Sequence, residues 1–175
     1  MRGSRLAVFA AVAALVLSAC GTDDEGGNGD GGDTPTFEEG TTMAELAEAG
    51  TLRVGTKFDQ PLFGQVNLEG VPEGFDVEIA KILADELGIS EENITWTEAQ
   101  SAVREELLER DEVDIVVATY TINDERKQRI DFAGPYYVAG QHIMVRADET
   151  EITGPDSFQD GSRTVCSVQG STPSG

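Results

Sequence analysis

Basic residues, histidine and cysteine are scarce in this sequence. Its 175 residues include 12 Lys and Arg against 33 Asp and Glu, which gives a formal net charge of −21. Such a surface repels nucleic acid, and no basic stripe is present whose binding would release counterions. The single histidine, His142, has no nearby cysteine or spaced pair of carboxylates, so we expect no zinc site. The composition argues against a nucleic-acid-binding protein, and we predict no metal and no cofactor.

Long hydrophobic runs are also missing. The longest one, from Leu6 to Leu17, has 12 residues and follows Arg2 and Arg5. As a helix it would rise only about 18 Å, whereas the hydrocarbon core of a bilayer is roughly 30 Å thick. A short buried helix would give the same run. However, the basic start, the small residues at the end and the polar stretch that follows are typical of a signal peptide.

The end of this run carries a recognisable motif. Leu17-Ser18-Ala19-Cys20 resembles the bacterial lipobox, in which the cysteine thiol is acylated with diacylglycerol and becomes residue one after cleavage. One acyl chain holds a protein only weakly, so stable attachment needs a second chain such as palmitate. The resemblance implies that residues 1–20 are a lipoprotein signal peptide. Lipid on Cys20 would anchor the mature protein at the extracytoplasmic face of the plasma membrane.

The next segment, residues 21–40, is polar and acidic. It consists mostly of Gly, Asp, Glu, Thr and Asn, and Phe37 is its one large apolar residue. Such a segment cannot bury enough surface to offset the entropy of ordering it. We interpret it as a flexible linker that holds residues 41–175 away from the membrane. A calcium site is not expected, because the acids follow neither EF-hand spacing nor a fixed repeat.

Helix and strand signals alternate after residue 41. Periodicity and capping residues predict helices over 43–49, 75–87, 102–109 and 124–129, and strands over 52–56, 94–97, 113–118, 136–146 and 164–168. Thr42 with Glu45 would cap the first helix, and Ile79, Leu83 and Leu87 would share one face of the second. This alternation indicates an α/β sheet, in which ligands bind beyond the carboxyl ends of the strands. The final Gly-Ser-Thr turn normally leads into a helix, so we expect a truncated chain.

Several segments carry a family resemblance. Residues 74–83, Gly-Phe-Asp-Val-Glu-Ile-Ala-Lys-Ile-Leu, resemble the signature of family 3 of the bacterial extracellular solute-binding proteins, the polar amino-acid receptors of ABC importers. Residues 55–63, 114–126 and 131–137 fall in the order and spacing of that family. With the final strand and turn, the resemblance covers residues 51–174. Within the family, the chain is most similar to the glutamate-binding lipoproteins of actinobacterial uptake systems.

The resemblance implies a periplasmic-binding-protein-like type II fold. In that fold, two α/β lobes are joined by a two-stranded hinge and close on the ligand. Residues 51 to about 138 would form most of lobe one, Val138 to Arg146 the first hinge strand, and the remainder the beginning of lobe two. We expect a chain that lacks half of the cleft to bind ligand weakly or not at all.

The resemblance also implies which residues bind the α-amino acid group. Arg126 would receive the α-carboxylate through two parallel hydrogen bonds, because a planar guanidinium fits a carboxylate. Thr121 would contribute its N–H and hydroxyl to the same carboxylate, and Thr119 its carbonyl to the ligand ammonium. Thr172 matches the lobe-two contact to the carboxylate. The alternatives are a solvated helix arginine for Arg126 and ordinary strand-end threonines.

A second group of residues is implied for the ligand side chain. In members that take glutamate or aspartate, a Ser-x-x-Arg pair and a basic residue after the first strand hold the distal carboxylate. Ser101 with Arg104, and Lys57, fit these positions, and Phe58 would pack the ligand methylenes. The alternative for Arg104 is a surface arginine paired weakly with an acid such as Glu98. The implied function is the binding component of an ABC transporter that imports a polar amino acid, with glutamate favoured and permease subunits as partners.

Two other function classes stay open. An enzyme of related two-lobed fold, such as a cyclohexadienyl dehydratase, would need acid–base groups, for which Asp111 and Asp114 are candidates. They fit a polar turn equally well and nothing orients them, so we expect no enzyme. A surface lipoprotein without a transport role would carry the same lipobox. With Cys20 assigned to lipid, Cys166 has no second cysteine in this exported chain with which to form a disulfide. This suggests either a disulfide partner in the part that the chain lacks or a buried free thiol.

Overall fold

A computed structural model describes residues 35–174 of the chain. The predicted signal peptide, Cys20 and residues 21–34 of the predicted linker lie outside the described residues. Within 35–174, every helix falls short of the length and apolarity needed to cross a bilayer.

Helices and strands alternate in the first two thirds of the described part. The helices are α1 (Thr42–Ala49), α2 (Phe75–Glu86) and α3 (Arg104–Glu109), and the strands are β1 (Leu52–Thr56), β2 (Asp59–Gln60), β3 (Gly64–Val66), β4 (Pro72–Glu73), β5 (Ile94–Glu98) and β6 (Ile115–Val116). Short 3₁₀ helices occur at Glu91–Asn93, Arg126–Gln128, Pro155–Phe158 and Thr172–Ser174.

A parallel sheet in the order β5–β1–β6 forms the centre of the structure. Val54 in β1 lies opposite Trp96 on one side and Ile115 on the other. Parallel strands need crossover connections, which α2 supplies from β1 to β5 and α3 from β5 to β6. The carboxyl ends of all three strands therefore lie at one edge of the sheet, and the predicted α/β architecture is confirmed.

The core lies between this sheet and α2. Val77, Ala80 and Ala84 of α2, spaced by three and four residues, are fully buried. The predicted helix face is therefore wrong in part, since Leu83 is 43% exposed. Small alanines let the helix approach the sheet closely, and larger side chains cover the margin of the contact. The buried core cluster consists of Leu52, Val54, Ala80, Ala84, Ile89, Ile94 and Val117.

The ends of α1 follow capping rules, with a shift of one residue at the start. Thr41, rather than the predicted Thr42, is the N-cap, and its Oγ1 accepts a hydrogen bond from the Ala44 N–H at 3.3 Å. Gly50 ends the helix as predicted, with φ of 64°, a left-handed conformation that favours glycine. Its N–H donates to the Leu46 carbonyl at 3.0 Å.

A second, antiparallel sheet of β2, β3 and β4 lies between β1 and α2 in the chain. The sequence did not predict it, because strands of two or three residues are too short to show a periodic pattern. Gly64 is required in this sheet. A Cβ there would lie 2.5 Å from the Lys57 carbonyl oxygen, so no larger residue fits.

Two predicted strands are wrong. Residues 136–146 and 164–168 contain neither helix nor strand, and Val138 and Met144 are 86% and 96% exposed. A strand needs a neighbour for its backbone hydrogen bonds, and within residues 35–174 no segment pairs with either of these two.

Candidate functional site

Arg126 lies in the interior, at the start of a 3₁₀ helix beyond β6. Its side chain is buried, and its backbone N–H donates to Asn123 Oδ1 at 2.9 Å. Nη1 donates to the Thr121 carbonyl at 2.9 Å and Nη2 to the Gly170 carbonyl at 3.1 Å. Nε lies 3.3 Å from Oε1 of Glu105. Arg126 is therefore not a solvated helix arginine.

Arg104, the first residue of α3, is only 3% exposed. Its Nη1 donates to the Ala118 carbonyl at 2.9 Å, whereas its buried Nε has no partner among the described residues. No ion pair within residues 35–174 includes it, so the alternative of a surface pair with Glu98 is wrong. Burial lowers the pKa of Arg104, and the charge of Arg126 acts in the same direction.

The ring of Tyr120 contacts both guanidinium groups. Its centroid lies 4.0 Å from Cζ of Arg104 and 4.9 Å from Cζ of Arg126. The electron-rich face of an aromatic ring attracts cations, which offsets part of the repulsion between the two arginines. Burial and the nearby Glu105 carboxylate raise the pKa of Tyr120. The phenol therefore stays neutral at physiological pH.

A turn at residues 170–172 lies against this pair. A Cβ on Gly170 would be 2.7 Å from Cα of Ala102 and 3.0 Å from the carbonyl of Ser101, so the two backbones are in direct contact. Ser101 is itself buried in the turn before α3. Thr172 Oγ1 lies 3.5 Å from Nη1 of Arg126. The structure thus places Thr172, Ser101, Arg104 and Arg126 around one location.

The loop of residues 118–121, called here the 118–121 loop, contacts both arginines. Thr119 has a positive φ of 46°, which is unusual for a β-branched residue. Its N–H donates to Oδ2 of Asp76 at 2.6 Å, and its hydroxyl lies 2.8 Å from Gln60 Oε1. The Thr119 carbonyl and the Thr121 N–H and hydroxyl form no hydrogen bond with the described residues.

Lys57 and Phe58 follow β1 but are not brought against the two arginines by any contact in residues 35–174. The Lys57 side chain is buried and pairs with Asp59 at 3.1 Å. Phe58 is half-buried, and its carbonyl accepts from the Val66 N–H at 3.1 Å. Of the three basic residues predicted to converge on the ligand, the structure brings Arg104 and Arg126 together, whereas Lys57 forms an ion pair with Asp59.

A cluster of aromatic rings joins the small sheet to the segment after the 118–121 loop. Phe63 lies edge-on to Tyr137 at 5.4 Å and to Phe75 at 6.1 Å between ring centroids. Phe75 also contacts Tyr136 at 6.2 Å. The Tyr136 hydroxyl donates to Oδ1 of Asp76 at 3.0 Å, which ties this cluster to the site.

Sequence reasoning missed Asp76, Tyr120 and Glu105. Asp76 lies within the resembling segment 74–83, but an acid in the first turn of a helix usually complements the helix dipole at the surface. Tyr120 carried a weak signal, since it stands directly before Thr121 at the end of a buried strand. Glu105 follows Arg104 and gave no signal of its own.

The proposed acid–base pair is absent from this site. Asp114 accepts hydrogen bonds from the backbone N–H of Arg53 at 2.7 Å and from its guanidinium Nη2 at 2.5 Å. The guanidinium also donates to the Asp111 carbonyl. Both aspartates thus lie before β6, at the end of the sheet opposite the arginine pair. Among residues 35–174 no group of histidine, cysteine or acids is arranged to hold a metal, and Cys166 is exposed and without a disulfide.

Comparison with known proteins identifies the family. Residues 52–169 match the bacterial extracellular solute-binding proteins, family 3. The chain belongs to this family. It is 37% identical over 168 residues to the glutamate-binding protein GluB of Corynebacterium efficiens, covering 94% of this chain and 52% of that protein. It is 35% identical over 170 residues to a glutamine-binding protein of Geobacillus stearothermophilus, covering 95% and 64%. The chain thus spans about half the length of GluB.

Solved structures of this family agree with the fold. The ancestral amino acid-binding protein AncCDT-1, described as a precursor of cyclohexadienyl dehydratase, matches with a TM-score of 0.60 and 36% identity over 65% of this chain and 49% of that one. The arginine-bound form of domain 1 from TmArgBP, solved as a point mutant, matches with a TM-score of 0.51 and 32% identity. It covers 56% of this chain and 74% of that one. The predicted type II two-lobed fold, present here as a partial lobe, is therefore confirmed.

Proposed function

We propose that this protein is the substrate-binding component of an ABC transporter that imports a polar amino acid, with glutamate as its ligand. Membership of the solute-binding family supports the binding role. The names of two relatives, GluB of Corynebacterium efficiens and the glutamine-binding protein of Geobacillus stearothermophilus, support an amino acid of this size and polarity. The permease subunits of the transporter would be its protein partners.

Burial of Arg104 without an acid is the observation that carries the choice of glutamate. A buried cation is costly unless it is paired, and Arg104 forms one hydrogen bond to a neutral carbonyl while its Nε has none. A ligand carboxylate beside Nε would supply the missing charge. Glutamine offers only a neutral amide there, so the same geometry favours glutamate over glutamine.

Arg126 would then take the α-carboxylate. Arg126 is 9% exposed and its guanidinium nitrogens already face the Thr121 and Gly170 carbonyls, so a ligand carboxylate would replace the contact of Nη1 to Thr172 or that of Nη2 to Gly170. The unbonded N–H and hydroxyl of Thr121 would donate to the same carboxylate. The Thr119 carbonyl would accept from the ligand ammonium.

Residues 1–20, with lipid on Cys20, would place this binding unit at the extracytoplasmic face of the plasma membrane. Residues 21–40 would separate it from the lipid headgroups. The chain covers only half of GluB, so binding by residues 41–175 would rest mainly on one lobe. The arginine-bound state of domain 1 from TmArgBP supports retention of some affinity by a single lobe.

Isothermal titration calorimetry of the purified full-length protein, with both lobes, against glutamate, glutamine, aspartate and arginine tests this proposal. We expect saturable binding of glutamate, weaker binding of glutamine, and no reaction product by NMR after prolonged incubation. Binding of none of the four, or preference for arginine, would contradict the proposed ligand. Turnover of a bound ligand would instead favour an enzyme of the dehydratase type, although the Arg53–Asp114 pair leaves no free acid–base pair before β6.

A further inference from the structure

Asp76 is the most deeply buried acid of the described residues. It is the second residue of α2 and is 0% exposed. No ion pair within residues 35–174 includes it. Its carboxylate accepts from the Thr119 N–H at 2.6 Å and from the Tyr136 hydroxyl at 3.0 Å. Burial of an unpaired carboxylate costs free energy of folding. The presence of Asp76 at this position therefore needs an explanation other than a contribution to stability.

The hydrogen bond from the Thr119 N–H to Asp76 is made at a strained backbone position. Thr119 has φ of 46°, a left-handed conformation in which the Cβ of a β-branched residue clashes with its own backbone. Such conformations persist only where the surroundings hold them. The carboxylate of Asp76 on the N–H and the amide of Gln60 on the hydroxyl are the side-chain groups that hold Thr119 here.

The position of Thr119 determines where its neighbours lie. Ala118, directly before it, supplies the carbonyl that accepts from Arg104. Tyr120, directly after it, stacks on the guanidiniums of Arg104 and Arg126. A rotation at Thr119 would move both contacts and would turn its own free carbonyl.

We propose that Asp76 is a positioning residue of the amino-acid site, which holds the 118–121 loop in its binding conformation by fixing Thr119 in the left-handed region. This inference rests on the proposed function for its ligand. It assigns Asp76 to the α-amino acid part of the site, which every amino acid shares, and leaves side-chain choice to Arg104.

The raised pKa of Asp76 indicates that its buried carboxylate lowers the stability of the folded protein. Burial raises the pKa of this carboxyl above its ordinary value, against the opposing hydrogen bonds from Tyr136 and Thr119. The folded state therefore binds a proton more readily than the unfolded state, so the carboxylate destabilises the fold at neutral pH. A neutral asparagine, which still accepts from Thr119, removes that cost while weakening the bond to the N–H.

The test uses Asp76→Asn, with Asp85→Asn as matched control, since Asp85 is an exposed acid on the same helix. We expect Asp76→Asn to bind both glutamate and glutamine about fivefold more weakly, because a neutral acceptor makes a weaker hydrogen bond than a carboxylate. The ratio of the two affinities should stay at the wild-type value, and Tm should be equal or higher. Asp85→Asn should match wild type in every measurement.

A double variant separates positioning from any other effect. Glycine adopts the left-handed region without strain, so the loss of affinity that Asp76→Asn causes should be much smaller in a Thr119→Gly background than in the wild-type background. Hydrogen exchange of the residue-119 amide should be faster in Asp76→Ala than in wild type. An equal loss in both backgrounds, wild-type affinity in Asp76→Asn, or a fall in Tm of about 10 °C or more would each overturn the proposal.

Failure of the proposed function gives a different result. If the wild-type protein binds no amino acid, the proposed ligand is refuted by the wild-type titration alone. The exchange of the residue-119 amide in Asp76→Ala then decides whether Asp76 holds the 118–121 loop. Unchanged exchange there would refute the positioning role independently of any ligand.

Discussion

Replacement of Arg104 by glutamine should convert a glutamate-selective site into one that scarcely distinguishes glutamate from glutamine. Arg104 is buried and its Nε has no partner within residues 35–174, so its positive charge is available to an anionic ligand. Arg104→Gln keeps a polar side chain of moderate length but removes the charge. The change also removes the hydrogen bond to Ala118 and the stacking on Tyr120.

The expected loss of glutamate affinity follows from the burial of the Arg104 charge. Loss of one partner from a buried, hydrogen-bonded charge pair costs about 2–5 kcal/mol, or roughly 30-fold to several-thousand-fold in affinity. A neutral glutamine ligand loses only an ordinary hydrogen bond, about 0.5–1.5 kcal/mol. With the middle of each range, about 3.5 and about 1 kcal/mol, the preference for glutamate should fall by about 2.5 kcal/mol, or roughly 70-fold.

Calorimetric titration of wild type and Arg104→Gln with both ligands in one buffer measures this ratio. Arg110→Gln is the matched control, because Arg110 directly follows α3 and its side chain is 66% exposed in a pair with Glu106. It should leave both affinities unchanged. Circular dichroism establishes that each variant is folded. An Arg104→Gln protein that keeps the wild-type ratio would remove Arg104 from the distal-carboxylate site.

Three further changes test the site, the fold and the anchor. Arg126→Ala should abolish binding of every α-amino acid and, by leaving Glu105 without its cation, destabilise the fold by about 3 kcal/mol. Glu105→Ala added to it should restore Tm but not binding, and recovered binding would contradict the assignment. Gly74→Ala, with φ of 131° and a Cβ 2.5 Å from backbone atoms, should lower Tm by about 10 °C or more, unlike Gly154→Ala, where the backbone is extended and no atom lies near the Cβ. Cys20→Ser should abolish palmitate labelling and membrane partitioning in cells; persistent labelling would refute the lipobox.

The order of elements was readable from the sequence because each depends on neighbouring residues. The run 52–56, the helix from Phe75 and the strand from Ile94 follow from periodicity, and the crossover rule then makes the sheet parallel. Because parallel strands end at the same edge of the sheet, the loops that precede Arg104 and Arg126 were predicted to lie near each other. Their joint burial around Tyr120 could not be read, since it depends on side-chain contacts between residues far apart in the chain.

Other features could not be predicted for physical reasons. Asp76 is buried by contacts with Thr119 and Tyr136, which lie 43 and 60 residues away, and its local sequence is that of an ordinary helix start. The segment 136–146 has the composition of a strand, but composition does not supply a neighbour. Its state depends on whether a pairing segment exists, which propensity alone cannot decide.

The buried pair of arginines in a chain of net charge −21 has a kinetic consequence. At distances beyond about 10 Å, a glutamate anion meets the repulsion of the whole acidic surface, which salt screens. At contact it meets two buried guanidiniums, which salt screens much less. The association rate should therefore rise with ionic strength while the dissociation rate changes little. Binding would tighten as salt is added, the reverse of the usual behaviour of a site that binds its ligand through opposite charge.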